Sequence, residues 1–258
     1  MAEGTATGTT VLLRVRGLQK SFGAVRATDG LDLDVRAGGV HALIGPNGAG
    51  KSTLIAQLAG EIRPDAGTIL FAGRDISRLP AWRRPHLGLA RSFQITSLLP
   101  EFSAADNVAL AVQSRAGHSF SFWGDARRQA DLRQPALAAL AEAGLAARAE
   151  TPVRDLAHGE QRQLELAMAM ALRPALLLLD EPMAGMAAAE TRQMVEILRR
   201  LSRSVTLLLV EHDMGAVFSL ADRLTVLAAG KAIATGTPAE IRANPLVRQA
   251  YLGDDAPC

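Results

Sequence analysis

Residues 45–53 read Gly45-Pro46-Asn47-Gly48-Ala49-Gly50-Lys51-Ser52-Thr53, with the spacing G-x-x-x-x-G-K-[ST]. Each position suits the capture of a phosphate group. Gly45, Gly48 and Gly50 carry no Cβ, so the backbone can turn with φ > 0 and come close to an anion. Successive N–H groups then point inward, and a helix starting near Lys51 adds the positive end of its dipole. Lys51 can reach the β- and γ-phosphates of a nucleotide, and the Ser52 hydroxyl is placed to ligate Mg²⁺.

A second group of residues could complete that chemistry. Leu176-Leu177-Leu178-Leu179 runs into Asp180-Glu181-Pro182. A carboxylate at the C-terminal end of a central strand sits where α/β sheets bind ligands. Asp180 can hold Mg²⁺ through water, and Glu181 can polarise the water that attacks a γ-phosphate. Acidic residues also end strands for no functional reason. It is the pairing with the loop at 45–53 that gives these two a role.

The elements that must position these residues are visible in the patterning. Residues 40–44 (Val-His-Ala-Leu-Ile) read as a buried strand feeding the loop, and 53–58 open a helix, so a strand–loop–helix setting is present. Residues 11–15 and 31–35 alternate apolar and polar, as half-buried antiparallel strands do. Between them Ser21-Phe22-Gly23 forms a turn that presents an aromatic. Arg63-Pro64-Asp65-Ala66-Gly67 is a second turn, and strands follow at 68–71 and 87–93.

From about residue 95 to 154 the chain is alanine-rich, with helical character at 104–112 and 127–147, and reads as an inserted helical lobe. Continuous apolar runs at 175–179 and 205–210 then restore the character of a parallel sheet covered on both faces. Between them Met194, Val195, Ile197, Leu198 and Leu201 share one helical face. Residues 164–170 alternate like a strand, but they contain no β-branched residue and are strong helix formers, so they read as helix.

Composition bounds the rest. With 258 residues, 48% hydrophobic and 21% charged, the chain is an ordinary globular protein able to bury a large core. A net charge of +2, with scattered arginines, carries no nucleic-acid signal. The one cysteine, Cys258, allows no disulfide framework or zinc cluster. The polar start reads as a frayed tail and not as a signal peptide. No apolar run approaches the ~18–20 residues that span a bilayer. If the protein works at a membrane, something else must hold it there.

Taken in order, four segments resemble the ATPase subunits of ABC transporters over nearly the whole chain. They are 45–53, Leu156-Ala157-His158-Gly159-Glu160-Gln161-Arg162, then 176–182, then Val210-Glu211-His212-Asp213-Met214. In detail the chain is similar to the branched-chain amino-acid importer group. The strings that carry this are Ala90-Arg91-Ser92-Phe93-Gln94, Leu99-Pro100-Glu101-Phe102, Ala157-His158-Gly159-Glu160-Gln161, Met183-Ala184-Gly185-Met186 and Ala250-Tyr251-Leu252-Gly253.

The resemblance implies an α/β P-loop NTPase with a mainly parallel core sheet, an antiparallel β subdomain and an inserted helical subdomain. Residues 11–94 and 155–258 would form the RecA-like core with its antiparallel part, 95–154 the helical insertion, and 1–10 a disordered tail. It implies ATP and Mg²⁺ as cofactors. Gln94 would contact Mg²⁺ and the attacking water, His212 would stabilise charge near the γ-phosphate, and Phe22 would stack on adenine. Ala157, His158, Gly159 and Glu160 would face the nucleotide of a second ATPase subunit in a head-to-tail homodimer or heterodimer. Separate transmembrane permease subunits would dock near 94–102, and a solute-binding protein would act indirectly. The protein would then lie on the cytoplasmic face of the inner membrane.

Two positions depart from the family pattern. Ala157 stands where a serine is usual, removing a hydroxyl donor to a charged oxygen worth ~1.5–3 kcal/mol. Met186 stands where an aspartate is usual. The same motifs also resemble those of a lipid or lipopolysaccharide exporter ATPase, and of a soluble ABC ATPase not coupled to transport. A P-loop kinase would lack the 156–162 segment.

Overall fold

Two sheets of opposite character share one layer of leucines. The structure, a computed structural model, describes residues 10–92, 98–116 and 130–249. The first sheet is antiparallel, formed by β1 (Val11–Phe22), β2 (Val25–Arg36), β4 (Ala66–Phe71) and the short β5 (Arg74–Asp75), in the order β2-β1-β4-β5. The second has the order β10-β9-β3-β8-β7-β6. Its strands are β3 (Val40–Ile44), β6 (Leu89–Arg91), β7 (Leu176–Asp180), β8 (Thr206–Val210), β9 (Arg223–Ala228) and β10 (Lys231–Gly236). All its pairings are parallel except that of β10 with β9.

The leucine runs explain why the layers meet here. In a strand successive side chains point to opposite faces. Leu176, Leu178 and Leu208 turn toward the antiparallel sheet and α1 (Lys51–Ala59), joining Leu13, Val15, Leu33, Leu54 and Ile55. Leu177, Leu179, Leu207 and Leu209 turn the other way, onto Met194, Ile197 and Leu198 of α5 (Ala188–Leu201). Each fully buried leucine contributes roughly 1.5–3 kcal/mol, more than the ~1 kcal/mol span of strand propensity. Burial on both faces therefore makes strands of runs that lack β-branching.

A third apolar cluster joins α2 (Ala104–Ala116), α3 (Ala130–Glu142) and α4 (His158–Ala171) through Val108, Ala136, Leu140, Leu164, Ala167 and Met168. The middle of α4 is buried on two sides: Leu166 and Ala169 belong to the sheet core, while Leu164 and Ala167 face α2 and α3. That double burial produces the alternation in 164–170 that imitates a strand.

Several expected elements change their limits. The strand expected over 87–93 is confined to Leu89–Arg91, because Pro85–Leu87 form a 3-10 turn and Gly88 follows at φ 92°. The helix expected over 127–147 ends at Glu142 within the described residues, and Gly144 at φ 81° turns the chain away. The strands at 11–15 and 31–35 extend to Phe22 and back to Val25, since each alternation continues into the hairpin. The hairpin β9–β10 and the short helices α6 (Met214–Leu220), α7 (Pro238–Ala243) and α8 (Pro245–Val247) were not anticipated. Residues 1–9 of the expected tail lie outside the described residues.

Candidate active site

The parallel strands deliver the glycine loop, Asp180, Glu181 and His212 to one edge. β3 ends at Ile44 before the glycine loop, β7 ends at Asp180, and β8 ends at Val210 before Glu211 and His212. In the sheet β8 lies between β3 and β7, with Leu43 opposite Val210 and Asp180 opposite Val210. The C-terminal edge of such a sheet is where α/β folds bind ligands.

The loop at 45–53 is already shaped. Gly48 and Gly50 take φ of 79° and 98°, and a Cβ on Gly50 would lie 2.0 Å from the Ala27 carbonyl oxygen. Only glycine fits there, on steric and conformational grounds together. The Ala49 carbonyl accepts from the Gly230 N–H at 3.1 Å, and the Gly230 carbonyl accepts from the Asp29 N–H at 3.0 Å. The β9–β10 turn thus ties the loop to β2. Lys51 is buried, and its Nζ donates to the Gly45 and Pro46 carbonyls at 2.7 and 3.0 Å. Burial lowers its pKa, while the Glu181 and Asp180 carboxylates oppose that shift. Pro46, Asn47 and the Ser52 side chain remain exposed, and Thr53 is half-buried.

Asp180 is almost fully covered. Its Oδ2 accepts from Arg91 Nη2 at 3.0 Å, and its Oδ1 is buried with no hydrogen-bond partner. Burial raises its pKa first, and Arg91 pulls the other way. Arg91 also pairs with Glu61. Glu181 is half-buried and sits at φ 50°, unusual for a residue with a Cβ, and its N–H donates to the Val210 carbonyl at 2.9 Å. The His212 side chain is largely exposed.

The donor set fits Mg²⁺ and not a self-contained metal cage. No cluster of three or more His, Cys, Asp or Glu suited to a metal occurs among the described residues. Mg²⁺ ordinarily keeps several waters and takes only one or two protein groups beside substrate phosphates. The orphaned Asp180 Oδ1 and the exposed Ser52 hydroxyl are such groups.

Around 156–162 the arrangement is different. Ala157, at φ −63° and ψ 159°, precedes α4 and offers no side-chain acceptor. Only the reciprocal half of a capping box is possible, with Glu160 accepting from the Ala157 N–H at 2.9 Å. Glu160 also accepts from Arg148 Nε at 2.8 Å, which holds its carboxyl below the usual range. His158 is exposed, with Nε2 beside Gly185, 3.7 Å from where a Cβ would stand. Gly159 is buried, and a Cβ there would lie 2.7 Å from Glu190 Oε1. Met186 is half-buried against the core.

Phe22 ends β1 and is 49% exposed, with Lys20 Nζ 5.5 Å from the ring centre. It is not a core residue, so the ring is open to stacking. Gln94 lies outside the described residues. Sequence reasoning missed Arg91, Glu211 and Gly230. Arg91 is a cation on a strand leading into the site edge, and Glu211 adjoins a singled-out histidine, but nothing local names their partners.

Known proteins share the sequence pattern and the fold of this chain. The family model described as ABC transporter matches residues 28–184. A second, described as branched-chain amino acid ATP-binding cassette transporter, matches residues 233–257. The high-affinity branched-chain amino acid transport ATP-binding protein LivG of Salmonella typhimurium is 38% identical over 94% of this chain and 98% of its own length. BraF of Pseudomonas aeruginosa, of the same description, is also 38% identical, with the same coverage. The crystal structure of the ADP conformation of MJ1267, an ATP-binding cassette of an ABC transporter, superposes with a TM-score of 0.84 and 27% identity, over 95% of this chain and all of that one. With its glycine loop, acidic strand end and histidine on one sheet edge, and with relatives matched along nearly their full length, this chain belongs to the ABC transporter family as an ATP-binding cassette.

Proposed function

We propose that this protein binds and hydrolyses ATP to drive an importer of branched-chain or other amino acids through separate permease subunits. The convergence of Lys51, Asp180, Glu181 and His212 on one sheet edge carries the hydrolytic reading. The likeness to LivG and BraF supports the choice of solute.

In this reading the Lys51 ammonium leaves the Gly45 and Pro46 carbonyls for the β- and γ-phosphates, and the loop N–H groups bind the same anion. Phe22 stacks on adenine. Asp180, Ser52 and Gln94 hold Mg²⁺, which neutralises charge on the phosphate oxygens when bound. Glu181 accepts a proton from water as the water oxygen bonds to the γ-phosphorus and the bond to the β-phosphate oxygen breaks, leaving ADP and phosphate. His212 stabilises the developing charge. Ala157 and the first residues of α4, His158 to Glu160, face the nucleotide of a second cassette.

The assembly we propose is a homodimer or heterodimer of cassettes held at the cytoplasmic face of the membrane by its permeases, with a solute-binding protein acting on them. No helix among the described residues is long and apolar enough to cross a membrane. Residues 95–154 would form the helical subdomain that meets the permease, with 11–94 and 155–258 as the core.

The test uses Glu181→Gln. Turnover should fall by ~10²–10⁴-fold while ATP still binds, the range for a positioned general base. With ATP this variant should elute as a dimer and the nucleotide-free chain as a monomer. Vesicles carrying the permease subunits, with the solute-binding protein outside and cassette and ATP inside, should accumulate labelled leucine only when the cassette is wild type. Retained turnover in the variant, or ATP-driven movement only of solutes that are not amino acids, would argue against the reading.

A further inference from the structure

The Glu211 carboxylate is the most deeply buried acid at the site edge, with its side chain 1% exposed. It reaches across 28 residues of sequence to accept from the Met183 N–H at 2.9 Å through Oε1. Its Oε2 accepts from the His212 N–H at 3.2 Å. A carboxylate is an acceptor only, with two oxygens, so it can hold two N–H groups from two segments at once.

The Met183 contact matters because of what precedes it. Pro182 has no N–H, so the Glu181 and Met183 N–H groups are consecutive donors along this loop. They meet consecutive residues at the end of β8: the Val210 carbonyl and Glu211 Oε1. Glu181 lies between those anchors at φ 50°. A non-glycine residue in that region is strained and persists only where its surroundings over-determine it. Burying a carboxylate is also costly. The left-handed backbone of Glu181 and the buried Glu211 carboxylate thus meet through the Met183 N–H.

We propose that Glu211 is a positioning residue, whose carboxylate locks the Glu181 loop and the His212 loop into one unit. Glu181 and His212 then hold a fixed relation to each other whether or not nucleotide is present. This inference rests on the reading of Glu181 as the group that accepts the proton.

Steady-state hydrolysis by the full chain, with ATP and Mg²⁺, tests it in Glu211→Gln, Glu181→Gln and the double variant. Glu211→Gln keeps the size but sets an NH₂ group against one of the two donors. Its kcat should fall by ~10²-fold, the cost of a misplacement near 1 Å, with the affinity for a fluorescent ATP analogue within about twofold of wild type. In the double variant kcat should fall little below that of Glu181→Gln, since the group being positioned is already disabled. A merely structural role would lower affinity and kcat together, and would add to the Glu181→Gln loss.

If Glu211→Gln does not fold, Glu211→Asp takes its place. It keeps the charge but retracts from Met183, and should show the same loss in kcat with unchanged affinity. Wild-type kcat in whichever of the two variants folds, or a fully multiplicative loss in the double variant, overturns the proposal. Retained turnover in Glu181→Gln would instead overturn the reading on which it rests.

Discussion

Arg91 and Asp180 stand on neighbouring parallel strands, joined by a 3.0 Å bond from Nη2 to Oδ2, with side chains only 9% and 2% exposed. The guanidinium supplies a positive charge at the carboxylate proposed to hold Mg²⁺. Breaking a buried pair from one side leaves the other charge uncompensated, at a cost of about 3–5 kcal/mol. Arg91→Met should therefore lower unfolding stability by that order in the absence of nucleotide. ATP with Mg²⁺ should recover more of the loss than ATP with EDTA, because the cation substitutes at Asp180. Thermal denaturation under the three conditions checks both statements.

The Lys51 ammonium donates to two carbonyls of its own loop. Lys51→Ala removes a phosphate contact present in the ground state, so nucleotide affinity itself should drop. This differs from Glu181→Gln, which should spare binding. Equilibrium binding of a fluorescent ATP analogue separates the two, and equal losses would contradict the assigned roles.

Ala157 occupies a helix N-cap without a capping side chain. Ala157→Ser should do two separable things. A serine there can accept from the N–H of Gly159 or Glu160, raising the stability of the isolated chain by about 0.5–2 kcal/mol. If the segment also faces a partner's γ-phosphate, the ATP-bound dimer of Glu181→Gln should tighten by up to ~1.5–3 kcal/mol. Denaturation without nucleotide reads the first effect, and sedimentation with ATP the second. Higher stability without tighter association would leave only the Gly159 backbone and the helix N-terminus as the contact.

His41 lies in the central strand, Nε2 bonded to Thr225 Oγ1 at 2.8 Å, and burial holds its pKa at about 4. Above pH 6.5 the imidazole is neutral in both states. Below it, the unfolded chain takes a proton that the folded chain resists, so stability falls, by about 2 kcal/mol at pH 5 and about 3 kcal/mol once pH reaches 4. Burial raises the pKa values of Asp180, Glu165 and Glu211, which act in the opposite direction. Comparing wild type with His41→Gln in urea at pH 7 and pH 5 isolates the histidine. The variant should lose less stability between the two.

The glycine loop was legible because the role proposed for it is local: nine consecutive residues, running from the end of one buried strand into the first turn of one helix, contain the whole proposed anion cradle. The same holds for Asp180 and Glu181, which announce themselves at the end of a leucine run, and for the buried face of α5. What surrounds them was not legible. Arg91 meets Asp180 across 89 residues, Glu211 meets Met183 across 28, and Gly230 secures the loop through Ala49. Each pairing exists only because the sheet sets β6 beside β7 and β7 beside β8, with β9 on the far side of β3. Side-chain periodicity tells a strand which face to bury but not which strand lies next to it. That choice comes from long-range packing, so the chemistry could be read along the chain, while the contacts that hold it in place required the folded sheet.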